Sequence, residues 1–216
     1  MLEKMSDFFE ARLEGYDAHM LTNIAAADAF YPFTAAQLPT LENCRILDLG
    51  CGTGLELEEF LPRNPTARIT GIDLSQGMLA ALKAKFPHKA MTLLCGSYFD
   101  IPFGTAVFDG AVSVESLHHF TPEQKLPLYQ KLHTALRDGA YFILTDYFAQ
   151  SEEEERLHRQ NLLDLKAAQG IEDEEFYHYD TPLTVEHEVQ ILRQAGFSAV
   201  RVLQSWCSTY TLRAEK

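Results

Sequence analysis

The sequence has few cysteines, a deficit of basic residues and no long apolar run. Only 4 of its 216 residues are cysteine, and none forms a Cys-x-x-Cys pair, so neither a disulfide framework nor a zinc site is expected. Lys and Arg number 18 against 31 Asp and Glu, and the net charge of -13 would repel nucleic acid and anionic lipid. The charged N-terminal stretch lacks the apolar core of a signal peptide, and no run is long enough to span a bilayer. We therefore expect a cytoplasmic protein that binds neither nucleic acid nor a membrane.

Between residues 44 and 147, short apolar runs alternate with helical patterns. The runs cover residues 45–49, 68–73, 91–95, 108–114 and 141–147, and the helical patterns cover 55–61, 75–86 and 123–136. This alternation indicates an α/β fold with a Rossmann-like, doubly wound sheet, mostly parallel and covered by helices on both faces. Ser75 and Thr121 are predicted helix caps, and Asp138-Gly139 is predicted to turn the chain into the fifth strand.

The alternation stops after residue 147, where acidic runs appear at 152–155 and 172–175. Consecutive acids point in different directions on a helix, so we interpret these runs as solvent-facing helix surface and predict no metal site. A further helix is predicted to end at Gly196. The two apolar runs that follow it, 198–206 and 208–214, predict an antiparallel hairpin that closes the sheet.

Three glycines, Gly50, Gly52 and Gly54, stand between the first predicted strand and the first predicted helix. Glycine permits positive φ and lets a ligand approach the main chain, and the amide groups that begin a helix have no partner within it. Asp73 ends the second strand, where a carboxylate can accept both hydroxyls of a ribose. The turn therefore predicts a ligand that contains a nucleoside.

Two residues near the turn distinguish between nucleoside cofactors. Leu55 occupies the position where the dinucleotide pattern Gly-x-Gly-x-x-Gly requires Gly or Ala. Asp48 precedes the first glycine, where it would repel a pyrophosphate but attract an ammonium or a sulfonium. A nicotinamide-dependent oxidoreductase is therefore the less favoured alternative, and the sequence also lacks a Tyr-x-x-x-Lys pair.

Four ordered segments resemble the motifs of the class I S-adenosylmethionine-dependent methyltransferases. They are LDLGCGTG (47–54), GIDLS (71–75), GSYFDIPF (96–103) and FDGAVSVESLHHF (108–120). The resemblance implies a seven-stranded sheet whose last strand is antiparallel, with a small helical cap. It also implies S-adenosyl-L-methionine as the cofactor and in-line transfer of its methyl group to a nitrogen or oxygen of a small molecule.

The same resemblance implies which residues bind the cofactor. The set comprises Tyr16, Asp48, Gly50, Cys51, Gly52, Asp73, Leu74, Met78, Ser97, Tyr98 and Glu115. Asp48 and the glycine backbone would hold the methionine part, Asp73 the ribose, and Leu74 and Met78 the ribose or adenine. Many relatives have Asp where this chain has Ser97, which implies a weaker bond to adenine.

Glu115, His118 and His119 are the catalytic candidates. The resemblance implies that Glu115 lies beside the methionine part and the acceptor, and histidine can accept a proton near neutral pH. The candidate acceptor contacts are Tyr147, His178 and Tyr179, which belong to the fifth strand and the acidic insertion, where the chain would select its acceptor. Neither His118 nor His119 has an obvious carboxylate partner in the sequence, so structural roles are alternatives for both.

The implied organisation is one domain over residues 1–216. It comprises an N-terminal helical lid (1–40), a cofactor-binding core (41–148), an acidic helical insertion (149–182) and a C-terminal helix and hairpin (183–216). The N-terminal helices could also pair in a homodimer. A protein that binds S-adenosylmethionine without catalysis is the main functional alternative.

Overall fold

A seven-stranded sheet organises the chain in the computed structural model, which describes residues 1–173 and 175–216. The strands are β1 (Arg45–Leu49), β2 (Arg68–Asp73), β3 (Met91–Cys95), β4 (Phe108–Val114), β5 (Leu136–Tyr147), β6 (Ala199–Trp206) and β7 (Thr209–Glu215). Their order is β3-β2-β1-β4-β5-β7-β6. Strands β1 to β5 pair in parallel, and β7 is antiparallel to both β5 and β6. The predicted fold class and terminal hairpin are confirmed.

Eight α-helices accompany the sheet in the described residues. They are α1 (Met5–Ala11), α2 (Tyr16–Asn23), α3 (Ala27–Gln37), α4 (Leu55–Phe60), α5 (Gln76–Lys85), α6 (Pro122–Ala135), α7 (Glu152–Ala168) and α8 (Val185–Gln194). Both predicted caps are confirmed: the Ser75 side chain accepts from the Met78 amide at 3.1 Å, and Thr121 forms a capping box with Gln124. Within those residues, no helix is both long and apolar enough to cross a membrane.

Two hydrophobic clusters fill the space on the two faces of the sheet. Consecutive strand residues contribute to opposite clusters: Leu47 and Phe142 belong to one, and their neighbours Ile46 and Ile143 belong to the other. Because helices cover both faces, neither face of these strands can be polar. This requirement explains why the runs that predicted the strands are apolar nearly throughout.

Strand β5 begins at Leu136, five residues before its predicted start. Leu136 already pairs with Phe108, and the register then shifts so that Tyr141 pairs with Gly110. Gly139 has φ +77°, and this left-handed residue lies within the irregularity. Asp138-Gly139 therefore does change the direction of the backbone, as predicted. The prediction that it precedes the strand is wrong, because it forms a bulge inside β5.

The acidic segment is helical over only part of its length. Helix α7 has no buried residue, as expected for solvent-facing acids, and Ser151 caps it by accepting from the Glu154 amide at 3.1 Å. The second acidic run does not lie on a helix: Glu172, Asp173 and Glu175 are in irregular structure, and Glu174 lies outside the described residues. The prediction of a helix is therefore wrong for Glu172, Asp173 and Glu175. The subdivision of the chain at residues 40, 148 and 182 stays a prediction.

Candidate functional site

The glycine-rich turn joins β1 to α4 at the carboxyl edge of the sheet, and its three glycines serve different purposes. All have positive φ, at +72° for Gly50, +47° for Gly52 and +78° for Gly54. A Cβ on Gly50 would lie 2.1 Å from the Ser116 hydroxyl, and one on Gly54 would lie 2.4 Å from a methyl carbon of α5. A Cβ on Gly52 would meet nothing closer than a Tyr16 ring carbon at 4.0 Å. The protein's own packing therefore excludes side chains at two positions, and only Gly52 faces open space.

A small cavity of about 50 Å³ lies above this turn, and we call it the turn cavity. Eight of the eleven predicted cofactor contacts line it, namely Tyr16, Gly50, Gly52, Asp73, Leu74, Met78, Tyr98 and Glu115. Met5 and Phe9 of α1 also line it. The residues predicted from separate motifs thus converge on one place, with carboxylates at Asp73 and Glu115 and an apolar wall at Leu74 and Met78.

The other three predicted cofactor contacts lie outside that lining. Asp48 is 1% exposed beneath the turn, and neither of its carboxyl oxygens has a hydrogen-bond partner within the described chain. Cys51 is buried against β2, since a Cβ on Gly71 would lie 2.7 Å from its sulfur. The Ser97 hydroxyl accepts from the Phe99 amide at 3.1 Å. None of the three reaches the turn cavity in this geometry, so their roles stay predictions.

Asp73 connects the end of β2 to the glycine turn. One carboxyl oxygen accepts from the Gly52 amide at 2.9 Å, and the other accepts from the Ser75 amide at 2.8 Å. Each carboxylate oxygen has a second lone pair, so the group can still accept from ribose hydroxyls. Nearby, Glu10 of α1 accepts hydrogen bonds from the Ser75 hydroxyl and from the Gly77 amide, which holds α1 over the turn cavity.

Two buried carboxyl groups, Asp48 and Glu56, lie together beneath the turn. Burial raises the pKa of Glu56 to about 7, and burial together with the charge of Glu56 raises the pKa of Asp48 well above its ordinary value. Oε1 of Glu56 also lacks a hydrogen-bond partner within the described chain. The fold therefore favours the protonated form of Asp48, and it keeps Glu56 protonated up to about neutral pH, where that group is near its midpoint.

We expect Glu56→Gln to reduce the pH dependence of stability. The folded state favours the protonated Glu56 carboxyl, so its contribution is fully present below the ordinary pKa of 4.5, declines as the pH rises, and levels off above about 7. Glutamine keeps the shape without titrating, which should remove on the order of 3 kcal/mol of the decline in this window. Urea unfolding at several pH values measures how steeply the free energy of unfolding declines with pH. Glu59→Gln, an exposed change on the same helix, is the control, and equal slopes in both variants would contradict the assignment.

A larger cavity of about 810 Å³ adjoins the turn cavity, and we call it the outer cavity. It lies between α1, α2 and the β6–β7 hairpin. Phe9, Tyr16, Glu115 and His119 line both cavities, so the two meet at these four residues. Glu115 has φ +49°, an uncommon conformation for a residue other than glycine, and such strain is often found at functional sites.

The outer cavity has an apolar wall and a polar end. Phe8, Met20, Ile24 and Trp206 contribute to the wall, and the polar end contains His118, His119, Tyr147, His178 and Asp180. Of the predicted acceptor contacts, Tyr147 and His178 are therefore in place. The Tyr179 side chain is not part of the lining: its ring lies beside His158, at 6.4 Å between ring centroids.

Each buried histidine at the polar end has a carboxylate partner that the sequence did not reveal. Nδ1 of His118 lies 2.5 Å from Oδ1 of Asp146, and Nδ1 of His119 lies 3.1 Å from Oδ1 of Asp180. Asp146 stands at the end of β5, beside β4, and an acid at that position is a signal that could have found it. Asp180 lies in irregular structure 61 residues after His119, where no periodic pattern marks it.

The three histidines at the polar end differ in pKa because their surroundings differ. Burial opposes the charged form of His118, but the charge and hydrogen bond of Asp146 raise its pKa to about 9. Burial and the neighbouring His118 lower the pKa of His119. Burial also lowers the pKa of His178, to about 4. In the free chain at neutral pH, the polar end therefore contains one charged and two neutral imidazoles.

Comparison with known proteins agrees with this geometry. A family model described as a methyltransferase domain matches residues 46–139. The biotin biosynthesis bifunctional protein BioHC of Teredinibacter turnerae is 27% identical over 91% of this chain and 34% of its own length. An O-methyltransferase of Penicillium expansum is 32% identical over 47% of this chain and 37% of its own length. The chain thus spans about a third of the length of either relative.

A solved structure gives the same answer for the fold. The S-adenosylmethionine-dependent methyltransferase of Mesorhizobium loti superposes with a TM-score of 0.64 at 22% identity, and the match covers 86% of this chain and 96% of that one. The matched region of the family model contains the glycine turn, Asp73 and both buried histidines. The family expected from the sequence is confirmed: this chain contains a class I S-adenosylmethionine-dependent methyltransferase domain.

Proposed function

We propose that this chain transfers a methyl group from S-adenosyl-L-methionine to a hydroxyl oxygen of a small, largely apolar molecule. The observation that carries the proposal is the meeting of the turn cavity and the outer cavity at Phe9, Tyr16, Glu115 and His119. When bound, the cofactor supplies an electrophilic methyl group, and its transfer to a hydroxyl leaves neutral S-adenosylhomocysteine and releases one proton. A protein that only binds the cofactor has no need for the second cavity.

The residues that line the turn cavity have the chemistry to bind the cofactor, but the cavity itself is too small to hold it. Asp73 would hold the ribose, Leu74 and Met78 would pack against the nucleoside, and the Glu115 carboxylate would attract the sulfonium end. Ligand pockets usually measure about 300–1,000 Å³, and the turn cavity measures about 50 Å³. Because Met5 and Phe9 of α1 line this small cavity, we expect α1 to move outward when the cofactor binds.

The outer cavity suits an acceptor with one polar group on an apolar body. Its volume is within the range of pockets for small molecules. The aromatic and aliphatic wall would hold the body, and the histidines would orient the hydroxyl at the junction with the turn cavity. Alignment of the reacting groups and exclusion of water are worth up to about 7–11 kcal/mol in favourable systems. The O-methyltransferase from Penicillium expansum named above is consistent with an oxygen acceptor.

Methyl transfer from labelled S-adenosylmethionine to a panel of phenols, aliphatic alcohols and amines of matched shape tests the proposal. We expect label in hydroxyl acceptors. Ile24→Trp, which fills the outer cavity, should abolish transfer without changing affinity for S-adenosylhomocysteine. Leu21→Trp, at an exposed position in α2 three residues before Ile24, should preserve both. Label confined to amines, or cofactor binding without transfer to any acceptor, would overturn the proposal.

A further inference from the structure

We infer that His118, His119 and Asp180 form a site for one divalent transition-metal ion at the polar end of the outer cavity. Each residue offers one ligand atom, and the three atoms lie within 4.8 Å of one another. Oδ1 of Asp180 is 3.6 Å from Nε2 of His118 and 3.1 Å from Nδ1 of His119. Metal–ligand bonds of about 2.0–2.2 Å place neighbouring ligand atoms about 3–3.5 Å apart. The three side chains therefore need little movement to bind one ion, which would displace the hydrogen that Nδ1 of His119 directs at Asp180 and at the Tyr179 carbonyl oxygen, 3.2 Å away.

A second carboxylate orients the first histidine for this purpose. Nδ1 of His118 bonds to Asp146, and Asp146 itself accepts from the backbone amides of Leu117 at 2.8 Å and Tyr147 at 2.9 Å. Since the Asp146 carboxylate holds a hydrogen on Nδ1, the proton that leaves the charged His118 when an ion binds is the one on Nε2, the atom that faces Asp180. Histidines that bind metals usually have such a carboxylate or carbonyl on their other nitrogen.

The donor set selects the kind of ion. Two imidazoles and one carboxylate suit Zn²⁺, Fe²⁺, Co²⁺ or Mn²⁺ better than Mg²⁺ or Ca²⁺, which prefer oxygen ligands. Three protein ligands leave further coordination positions, and these can open toward the cavity because the Asp180 side chain is 44% exposed. If the proposed function holds, the acceptor hydroxyl can occupy one of them, and the ion would lower its pKa so that its proton leaves to solvent before transfer.

Titration of the 216-residue chain with Co²⁺ alone, after dialysis against a chelator, tests the site. We expect visible absorption bands that saturate at one Co²⁺ per chain and disappear when Zn²⁺ is added. His119→Ala and Asp180→Asn should each weaken Co²⁺ binding by at least about 100-fold, and Asp146→Asn by about 10–100-fold. His88→Ala, which removes an exposed histidine, is the matched control and should bind as the unmodified chain does.

Circular dichroism and calorimetry with S-adenosylhomocysteine verify that each variant remains folded with its cofactor site intact. The inference is overturned if no bands form, or if His119→Ala and His88→Ala bind Co²⁺ equally, because simple His–Asp ion pairs would then explain the geometry. This result does not depend on methyl transfer. A chain that binds one Co²⁺ through these residues but methylates no hydroxyl would support the metal site and overturn the proposed function instead.

Discussion

Asp73→Ala is expected to weaken the binding of S-adenosylhomocysteine by at least about 100-fold, equivalent to roughly 3 kcal/mol. The carboxylate lines the turn cavity and would accept from both ribose hydroxyls, and hydrogen bonds to charged groups are worth about 1.5–3 kcal/mol each. Its loss also frees the amides of Gly52 and Ser75, which it holds at 2.9 and 2.8 Å. Isothermal titration calorimetry measures the change directly.

Asp109→Ala provides a matched control for the loss of a structural aspartate. Asp109 also holds a strand amide, that of Arg45 at 2.8 Å, and it forms an ion pair with Arg137. Asp109 lies near the amino end of β4, whereas the turn cavity lies at the carboxyl ends of the strands. The variant should therefore lose some stability without losing affinity for S-adenosylhomocysteine. Binding by Asp73→Ala that matches the unmodified chain would refute the ribose assignment.

Gly52→Val is expected to abolish detectable binding of S-adenosylhomocysteine while the chain remains folded. The Cβ of the valine would lie no closer than 4.0 Å to the nearest protein atom, so the protein has room for it. The rest of the side chain would project into the turn cavity. The left-handed backbone at this position costs a residue with a side chain about 1–2 kcal/mol, which a stable domain tolerates. Calorimetry gives the affinity, and thermal unfolding gives the stability.

Gly139→Val separates backbone strain from blockage of the cavity. Gly139 also has a left-handed φ, +77°, and no atom lies within 4 Å of the Cβ that it would gain. Its place in the bulge of β5 is remote from both cavities, so this variant should be strained to a similar degree but bind normally. If both valine variants bind normally, Gly52 does not face the cofactor.

The sequence predicted most of the sheet and the identity of the glycine turn because these features depend on neighbouring residues. Apolar runs of strand length gave β1 to β4 with their observed bounds, and local caps such as Ser75 gave the start of α5. The order of the motifs brought Asp73 and Gly52 to the same edge of the sheet. The start of β5 could not be predicted, because a glycine with positive φ marks a bulge as well as it marks a turn.

Sequence order alone thus determined the fold class and the methyltransferase family, and it predicted a set of cofactor contacts of which eight line one cavity. Only the tertiary structure decided which side chains face a cavity: Asp48 is sealed beneath the turn, and Gly50 is a glycine because Ser116 leaves no room beside it. It also brought Asp146 and Asp180 to the two histidines. Contacts between residues far apart in the chain depend on how the elements pack, and no local pattern encodes them.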